Sequence, residues 1–343
     1  MSSLIEALGT KRVLEPRGAL PQAARRLDPS PPIQPHEIEL DVDTLCLDST
    51  SFRQLVESSG RDPARVGESI ARIVAEQGKM QNPVTGSGGI LTGTVRRVGE
   101  MFPAPPRIGA RIVSLASLTL LPLRLESVGE VVLHSPHVPV NGTAYLPSSA
   151  PWAKYPERIP FEVALAALDV SNAAVQTRSL IDPGTRTVVV LGGGHAGLLA
   201  LAAGRDSLAP GARLVLIDVE ERICRRAVDL DLCDLALAVD LRDAVQALSR
   251  LEQVGVPRAD LTVVVVNATE CEAAAMLLTA DHGTVLFFSM ATSFTRVALG
   301  SEGMASTARL LIGSGYASDR GAYALELIGR SKKLQRAIAG AGD

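Results

Sequence analysis

From Thr187 to Asp218 the chain reads TVVVL, Gly192-Gly193-Gly194-His195-Ala196-Gly197, an Ala/Leu-rich stretch, Pro210-Gly211, and RLVLID. An apolar run, a G-x-G-x-x-G loop, a helix-forming segment, a second apolar run and a terminal acid leave few folds open. Gly192 permits the tight turn, Gly194 lets the backbone approach a pyrophosphate, and Gly197 lets the helix pack closely on the sheet. The first helical turn, with Ala196 in it, offers unpaired N–H groups and a positive dipole end to phosphates. Asp218 has the spacing of the carboxylate that takes ribose hydroxyls. Strand and helix flank the glycines on the correct sides, so the stretch reads as a dinucleotide site rather than as an ordinary turn. An acid at position 218 repels a 2′-phosphate and makes NAD the expected cofactor, with Arg222 the one residue pointing the other way. His195 is expected to line the dinucleotide site rather than to act in catalysis.

The rest of the chain is organised around this stretch. With 343 residues it exceeds a single core, and two domains are expected. From Pro160 onward, apolar runs at 187–191, 213–218, 235–239, 261–266, 284–289 and 308–313 alternate with helix-capable segments. That is an α/β pattern, a doubly wound parallel sheet of six strands with both faces covered. Asn267 falls at the C-terminal end of the fourth strand, where ligands meet such sheets. PFEVALAALDVSNAAVQTRSL, from Pro160, reads as one long helix. GAYALELIGRSKKLQRAIAG reads as a terminal helix expected to pack back on the N-terminal domain.

Residues before about 155 read as short β segments with many turns. EIELDVDTL (37–45) alternates as a half-buried strand, ILTGTVRRVG (90–99) is another, and 110–125 is strand-rich. One helix interrupts them, opened by Asp62-Pro63 and ended near Gly78, with Val66, Ile70, Ile73 and Val74 on one face. The expected division is a β-rich domain over 1–158, completed by 316–343, and a nucleotide domain over 159–315.

Composition narrows the partners. A hydrophobic fraction of 46% with 21% charged residues is that of a soluble globular chain. A net charge of −3 gives no basic footprint for nucleic acid and no polybasic membrane patch. Its apolar runs are strand-length, and the N-terminus lacks a signal-type apolar region, so a cytoplasmic protein is expected. The four cysteines, at 46, 224, 233 and 271, form neither a C-x-x-C pair nor a compact cluster.

A β-rich GroES-like domain followed by a Rossmann domain, with an apolar helix between them, resembles the medium-chain dehydrogenase/reductase architecture across the whole chain. Many of its members hold a catalytic zinc by a Cys after an early strand, a His in a G-H-E motif, and a third ligand near the interdomain helix. Here those regions read Leu45-Cys46-Leu47-Asp48 and Thr85-Gly86-Ser87-Gly88-Gly89, with neither His nor Glu in the second. One sulfur does not hold a tetrahedral zinc, so Cys46 reads as a small buried residue and His134 and His137 as loop residues. No metal is expected. TLCLDSTSF (44–52), GKMQNPVTGSGG (78–89), VSLASLTLLPLRL (113–125) and AALDVSNAAVQT (166–177) resemble a zinc-free group, the L-erythro-3,5-diaminohexanoate dehydrogenase family. That resemblance implies NAD-linked oxidative deamination of a small diamino acid at its C3 amine, within lysine fermentation. The wider architecture implies a homodimer through the edge strand 308–313.

Such chemistry without a metal needs side chains that accept a proton and activate water, and acids for a cationic substrate. Asp48, on the loop that carries a zinc ligand in metal-dependent relatives, is the first candidate; a loop cap with Ser49 and Thr50 is its other reading. Asp169, an acid amid alanines and leucines, is the second. Lys79 is either a desolvated proton carrier or a solvated helix-end lysine. Arg124 is either a clamp for the substrate carboxylate or half of an ion pair. Thr85 and Ser87 either bind substrate or belong to a plain turn. Two other functions stay open: a zinc-free quinone- or enone-type reductase, against which Asp48, Asp169 and Asp218 count, and a non-catalytic NAD-binding protein.

Overall fold

The computed structural model describes residues 3–313, 319 and 321–340, and the chain divides into two compact units, Met1–Arg158 and Ile159–Asp343. In the first, helix α1 (Ser3–Ala7) and a ribbon of β1 (Val13–Glu15) and β2 (Arg26–Leu27) precede β3 (Glu37–Cys46). Helices α2 (Ser49–Ser58) and α3 (Pro63–Gln77) follow, then β4 (Ile90–Val98), β5 (Arg111–Ser114), β6 (Leu123–Val128), β7 (His137–Pro147) and β8 (Trp152–Lys154). These six strands form one antiparallel sheet in the order β6-β7-β3-β4-β5-β8.

The α3 boundaries follow from its local chemistry. Asp62 accepts the Ala64 N–H at 2.9 Å, Pro63 opens the first turn, and Gly78 ends the helix at φ +65°. Its Val66, Ile70, Ile73 and Val74 are buried. A side chain at Gly78 would lie 2.0 Å from the Leu27 carbonyl oxygen, so the turn is also pinned sterically.

β3 departs from the half-buried reading. It is central, paired on both sides, so Glu37 and Glu39 are buried along with its apolar residues. Burial of Glu37 is tolerated because Arg12 donates Nη2 to it at 2.7 Å and stacks on the Tyr145 ring, 4.0 Å from its centroid. Glu39 takes Arg97, whose Nε donates at 2.8 Å.

In the second unit α4 (Phe161–Asp169) and α5 (Ser171–Leu180) lead into β9 (Thr187–Leu191), α6 (His195–Ser207), β10 (Arg213–Asp218), α7 (Glu221–Asp229) and β11 (Leu235–Ala238). Then come α8 (Ala244–Gln253), β12 (Ala259–Val264), α9 (Glu272–Leu278), β13 (Thr279–Phe287), α10 (Phe294–Gly303), β14 (Arg309–Ile312), α11 (Ala322–Arg330) and α12 (Lys332–Ala339). The six strands are parallel in the order β11-β10-β9-β12-β13-β14, the doubly wound Rossmann arrangement expected from the sequence. Val188 and Val190 join one apolar cluster and Val189 and Leu191 the other, as the two-residue period of a strand covered on both faces requires.

Two expectations about helices are corrected. The run from Pro160 is two helices broken at Val170, where the Ser171 hydroxyl donates to the Leu168 carbonyl at 3.0 Å and competes with the helical pattern. The terminal stretch is likewise two helices, parted at Ser331, whose Oγ accepts the Leu334 N–H. Nor does it complete the first unit: Tyr323, Leu327, Ile328, Leu334 and Ile338 share the apolar cluster of Val188, Leu198 and Leu216. The apolar faces of α11 and α12 are buried on the Rossmann sheet side. Residues 316–318, 320 and 341–343 of that segment lie outside the described residues. Among the described residues no helix is long and apolar enough to cross a membrane.

Candidate functional site

The loop from Gly192 to Gly197 is built as its glycines demand. Gly192 has φ +102°, and a Cβ there would sit 2.7 Å from Val266 Cα. A Cβ on Gly197 would lie 2.0 Å from the Gly192 carbonyl oxygen, so the first turn of α6 approaches the turn out of β9 as only glycine allows. Gly194 differs: it is the N-cap of α6, and a Cβ there would meet nothing within 4 Å. Ala196 stands in the first turn beside it. The loop thus presents an open backbone surface at a helix N-terminus, which fits a pyrophosphate.

Asp218 closes the adjacent strand. Its Oδ2 accepts the Gly193 N–H at 2.8 Å and its Oδ1 the Glu220 N–H at 2.9 Å, with 8% of the residue exposed. Each oxygen retains acceptor capacity for a ribose hydroxyl. Arg222 is exposed and faces Glu220 at 3.8 Å.

Two further expected members are His195 and Asn267. His195 Nε2 lies 3.0 Å from the Ile338 carbonyl oxygen in the last turn of α12, so the ring is turned toward the C-terminal helix. A carbonyl only accepts, so Nε2 carries the proton. Burial lowers the His195 pKa first of all; the Ile338 bond opposes that shift and the nearby Arg226 guanidinium reinforces it. Asn267 stands in an exposed loop three residues beyond β12, because the strand ends at Val264, earlier than its apolar run.

In the first unit a second cluster gathers at the start of α2. Asp48 is its N-cap, Oδ1 accepting the Ser51 N–H at 2.9 Å. The cap reading therefore holds for one oxygen. Asp48 Oδ2 is shielded from solvent with no hydrogen-bond partner. The Ser51 hydroxyl bonds that of Thr85, and Thr85 Oγ1 accepts the Ser87 N–H at 3.3 Å. Asp48, Thr85 and Ser87 are thus linked through Ser51, a residue the sequence reading passed over.

It also passed over Asn82. That buried amide donates Nδ2 to the Ser51 carbonyl and to Gln54 Oε1, at 3.3 and 2.9 Å, while its Oδ1 accepts the Val84 N–H at 2.8 Å. The signal was present in the Asn82-Pro83 pair, an Asx-turn opener.

Three other candidates have surroundings of their own. Lys79 is fully buried, its Nζ donating to the Pro21 and Gln22 carbonyls at 3.1 Å each, which corrects the solvated reading and supplies the desolvation that the proton-carrier reading required. Burial pulls its pKa down to about 8. Arg124 is exposed on the edge strand β6 beside Glu126 at 3.6 Å, as the ion-pair reading had it. Asp169 is the last residue of α4, where the helix dipole disfavours an acid, and belongs to the second unit. Among the described residues no group of three or more His, Cys, Asp or Glu could hold a metal ion.

Residues 11–156 match the family model described as the L-erythro-3,5-diaminohexanoate dehydrogenase N-terminal domain. An Acetoanaerobium sticklandii protein named L-erythro-3,5-diaminohexanoate dehydrogenase is 35% identical over 94% of this chain and 95% of its own. One of the same name from Fusobacterium nucleatum is 36% identical over 95% and 96%. Among solved structures, an Escherichia coli alcohol dehydrogenase complexed with NADH aligns at a TM-score of 0.56, with 14% identity over 89% of this chain and 84% of that one. A mycobacterial protein complexed with NADPH aligns at 0.52, with 18% identity over 94% and 92%. At such identities the solved structures speak for the fold alone.

Proposed function

The chain belongs to the L-erythro-3,5-diaminohexanoate dehydrogenase family and is an oxidoreductase, and from that premise we propose that it oxidatively deaminates L-erythro-3,5-diaminohexanoate. Substrate, NAD⁺ and water give 5-amino-3-oxohexanoate, ammonium, NADH and a proton, as a step of lysine fermentation in the cytoplasm. What supports the substrate is similarity extending over nearly the whole chain to two proteins of that name.

Gly192, Gly194, Ala196 and Gly197 would hold the pyrophosphate and Asp218 the ribose hydroxyls. When bound, the nicotinamide supplies a hydride acceptor. NAD is preferred to NADP because the Asp218 carboxylate repels a 2′-phosphate, and Glu220 sits beside the one cation, Arg222, that would offset this. The reaction is taken to need no metal, so side chains move the protons.

Asp48 is assigned as the proton acceptor. Oδ1 is held by the Ser51 N–H, which fixes the carboxylate, while Oδ2 is buried without a partner and is the oxygen left to take a proton from an ammonium and to orient water. That atom carries the catalytic reading. Thr85 and Ser87, tied to the same N-cap, supply hydroxyls for the polar substrate. Asp169 is kept as a second acid for the other ammonium. A homodimer through β14 is supported by exposed apolar side chains on that edge strand, Leu311 at 38% and Ile312 at 69%.

The test is incubation with 3,5-diaminohexanoate and NAD or NADP while following reduced nicotinamide. Turnover with NAD, and a kcat/KM lowered about a hundredfold or more by Asp48→Asn, are expected. No turnover with either cofactor, despite demonstrated cofactor binding, sinks the substrate. Unchanged kcat/KM in Asp48→Asn removes that residue from catalysis.

A further inference from the structure

The last turn of α12 is held from both halves of the dinucleotide cluster. α6, which opens on the phosphate loop, sends His195 Nε2 to the Ile338 carbonyl at 3.0 Å. α7, which starts three residues after Asp218, sends Arg226 Nη1 to the Gly340 carbonyl at 2.8 Å. A helix C-terminus leaves its final carbonyls without intrahelical partners and carries partial negative charge, so a neutral donor and a cation are suitable groups to meet it. One donor comes from the helix that opens on the glycine loop and the other from the helix that follows the ribose acid, and both converge on one turn. The same helix is seated by Leu334, Ala337 and Ile338 in the apolar cluster that contains Leu198 of α6 and Ala227 of α7. One helix end therefore touches the scaffold of the phosphate site and of the ribose site at once.

We infer that the C-terminal helix is a working part of the dinucleotide site, its last turn fixing the phosphate loop against the helix that follows the ribose acid through His195 and Arg226. Both are positioning residues and neither needs to touch the cofactor. The physical basis is preorganisation: with the two ends of the site held at a set spacing, little ordering is left for the dinucleotide to impose on binding. Cutting either tie returns that ordering cost to the binding step, while the glycine loop and Asp218 keep their own backbone bonds. Because both ties act through one helix end, removing the second after the first has little left to release.

This inference rests on reading 192–218 as a nicotinamide dinucleotide site. The experiment measures NADH affinity by fluorescence for the full-length protein, His195→Ala, Arg226→Ala and the double variant, with thermal unfolding alongside. Each single variant is expected to raise the Kd for NADH about three- to tenfold, with the double variant well short of the product. KM for the amino substrate should stay unchanged. His195→Gln, which keeps an N–H donor, should recover most of the affinity even if His195→Ala folds poorly. Kd values within about twofold of wild type overturn the inference, as does a fall in Tm with no shift in Kd, the mark of a merely structural tie. Failure of the wild-type chain to bind NADH at all sinks the dinucleotide reading itself, and this one with it.

Discussion

Gly194 and Gly197 stand three residues apart in one motif yet should fail in opposite ways when each is changed to alanine. In Gly197→Ala the new Cβ lies 2.0 Å from the Gly192 carbonyl oxygen, against the 3.4 Å of ordinary contact. The neighbour is backbone, so α6 and the turn out of β9 must separate. Overpacking of this kind costs about 1–3 kcal/mol, and a helix-interior Gly→Ala change returns about 1 kcal/mol of propensity. A net loss of up to about 2 kcal/mol, with a lowered Tm, is expected. Gly194 has φ −69° and open space at its Cβ, so alanine strains nothing there. Its effect on stability should stay within about 0.5 kcal/mol, since a poorer N-cap residue offsets the entropy gained by losing glycine. On the proposed reading the methyl projects where the pyrophosphate would approach, and the Kd for NADH should rise about tenfold or more, equivalent to about 1.4 kcal/mol. Thermal unfolding and NADH titration of the two variants separate these outcomes. If Gly194→Ala binds NADH as wild type does, the open surface at that N-cap is not the phosphate site. If Gly197→Ala is as stable as wild type, the close approach of α6 to β9 is not as described.

Two further outcomes follow from the same kind of reasoning. Lys79 has its pKa lowered from 10.5 to about 8 by burial, so between those values the unfolded chain binds more protons and stability rises with pH, the penalty of about 3 kcal/mol being complete below the lower value. Lys79→Met should flatten that rise in denaturant midpoints measured across the window, and identical slopes in both proteins would show that the buried amine is not its source. Ile312→Glu places a charge on the exposed edge strand and should turn a dimer into a monomer by light scattering; a wild-type chain that runs as a monomer refutes the β14 interface.

What the sequence by itself determined is what neighbours in the chain decide. The spans of β9 and β10, the glycine turn between them, and the helix from Asp62-Pro63 to Gly78 all follow from residues within a few positions of one another: caps, prolines, glycines and an apolar period. The family, too, was legible, because its glycine loop and the Gln81–Gly89 run are contiguous segments. Only the tertiary structure decided where long polar side chains end. His195 meets a carbonyl 143 residues away and Lys79 meets carbonyls 57 and 58 residues away. No local pattern encodes those partners. β3 looked half-buried because its alternating acids imply water on one face, and Arg12, far from it in sequence, supplied the partner that made burial of Glu37 tolerable. Asp48 shows the division within one residue. The sequence offered a cap as one of two readings, and only packing left its second oxygen buried and unpaired.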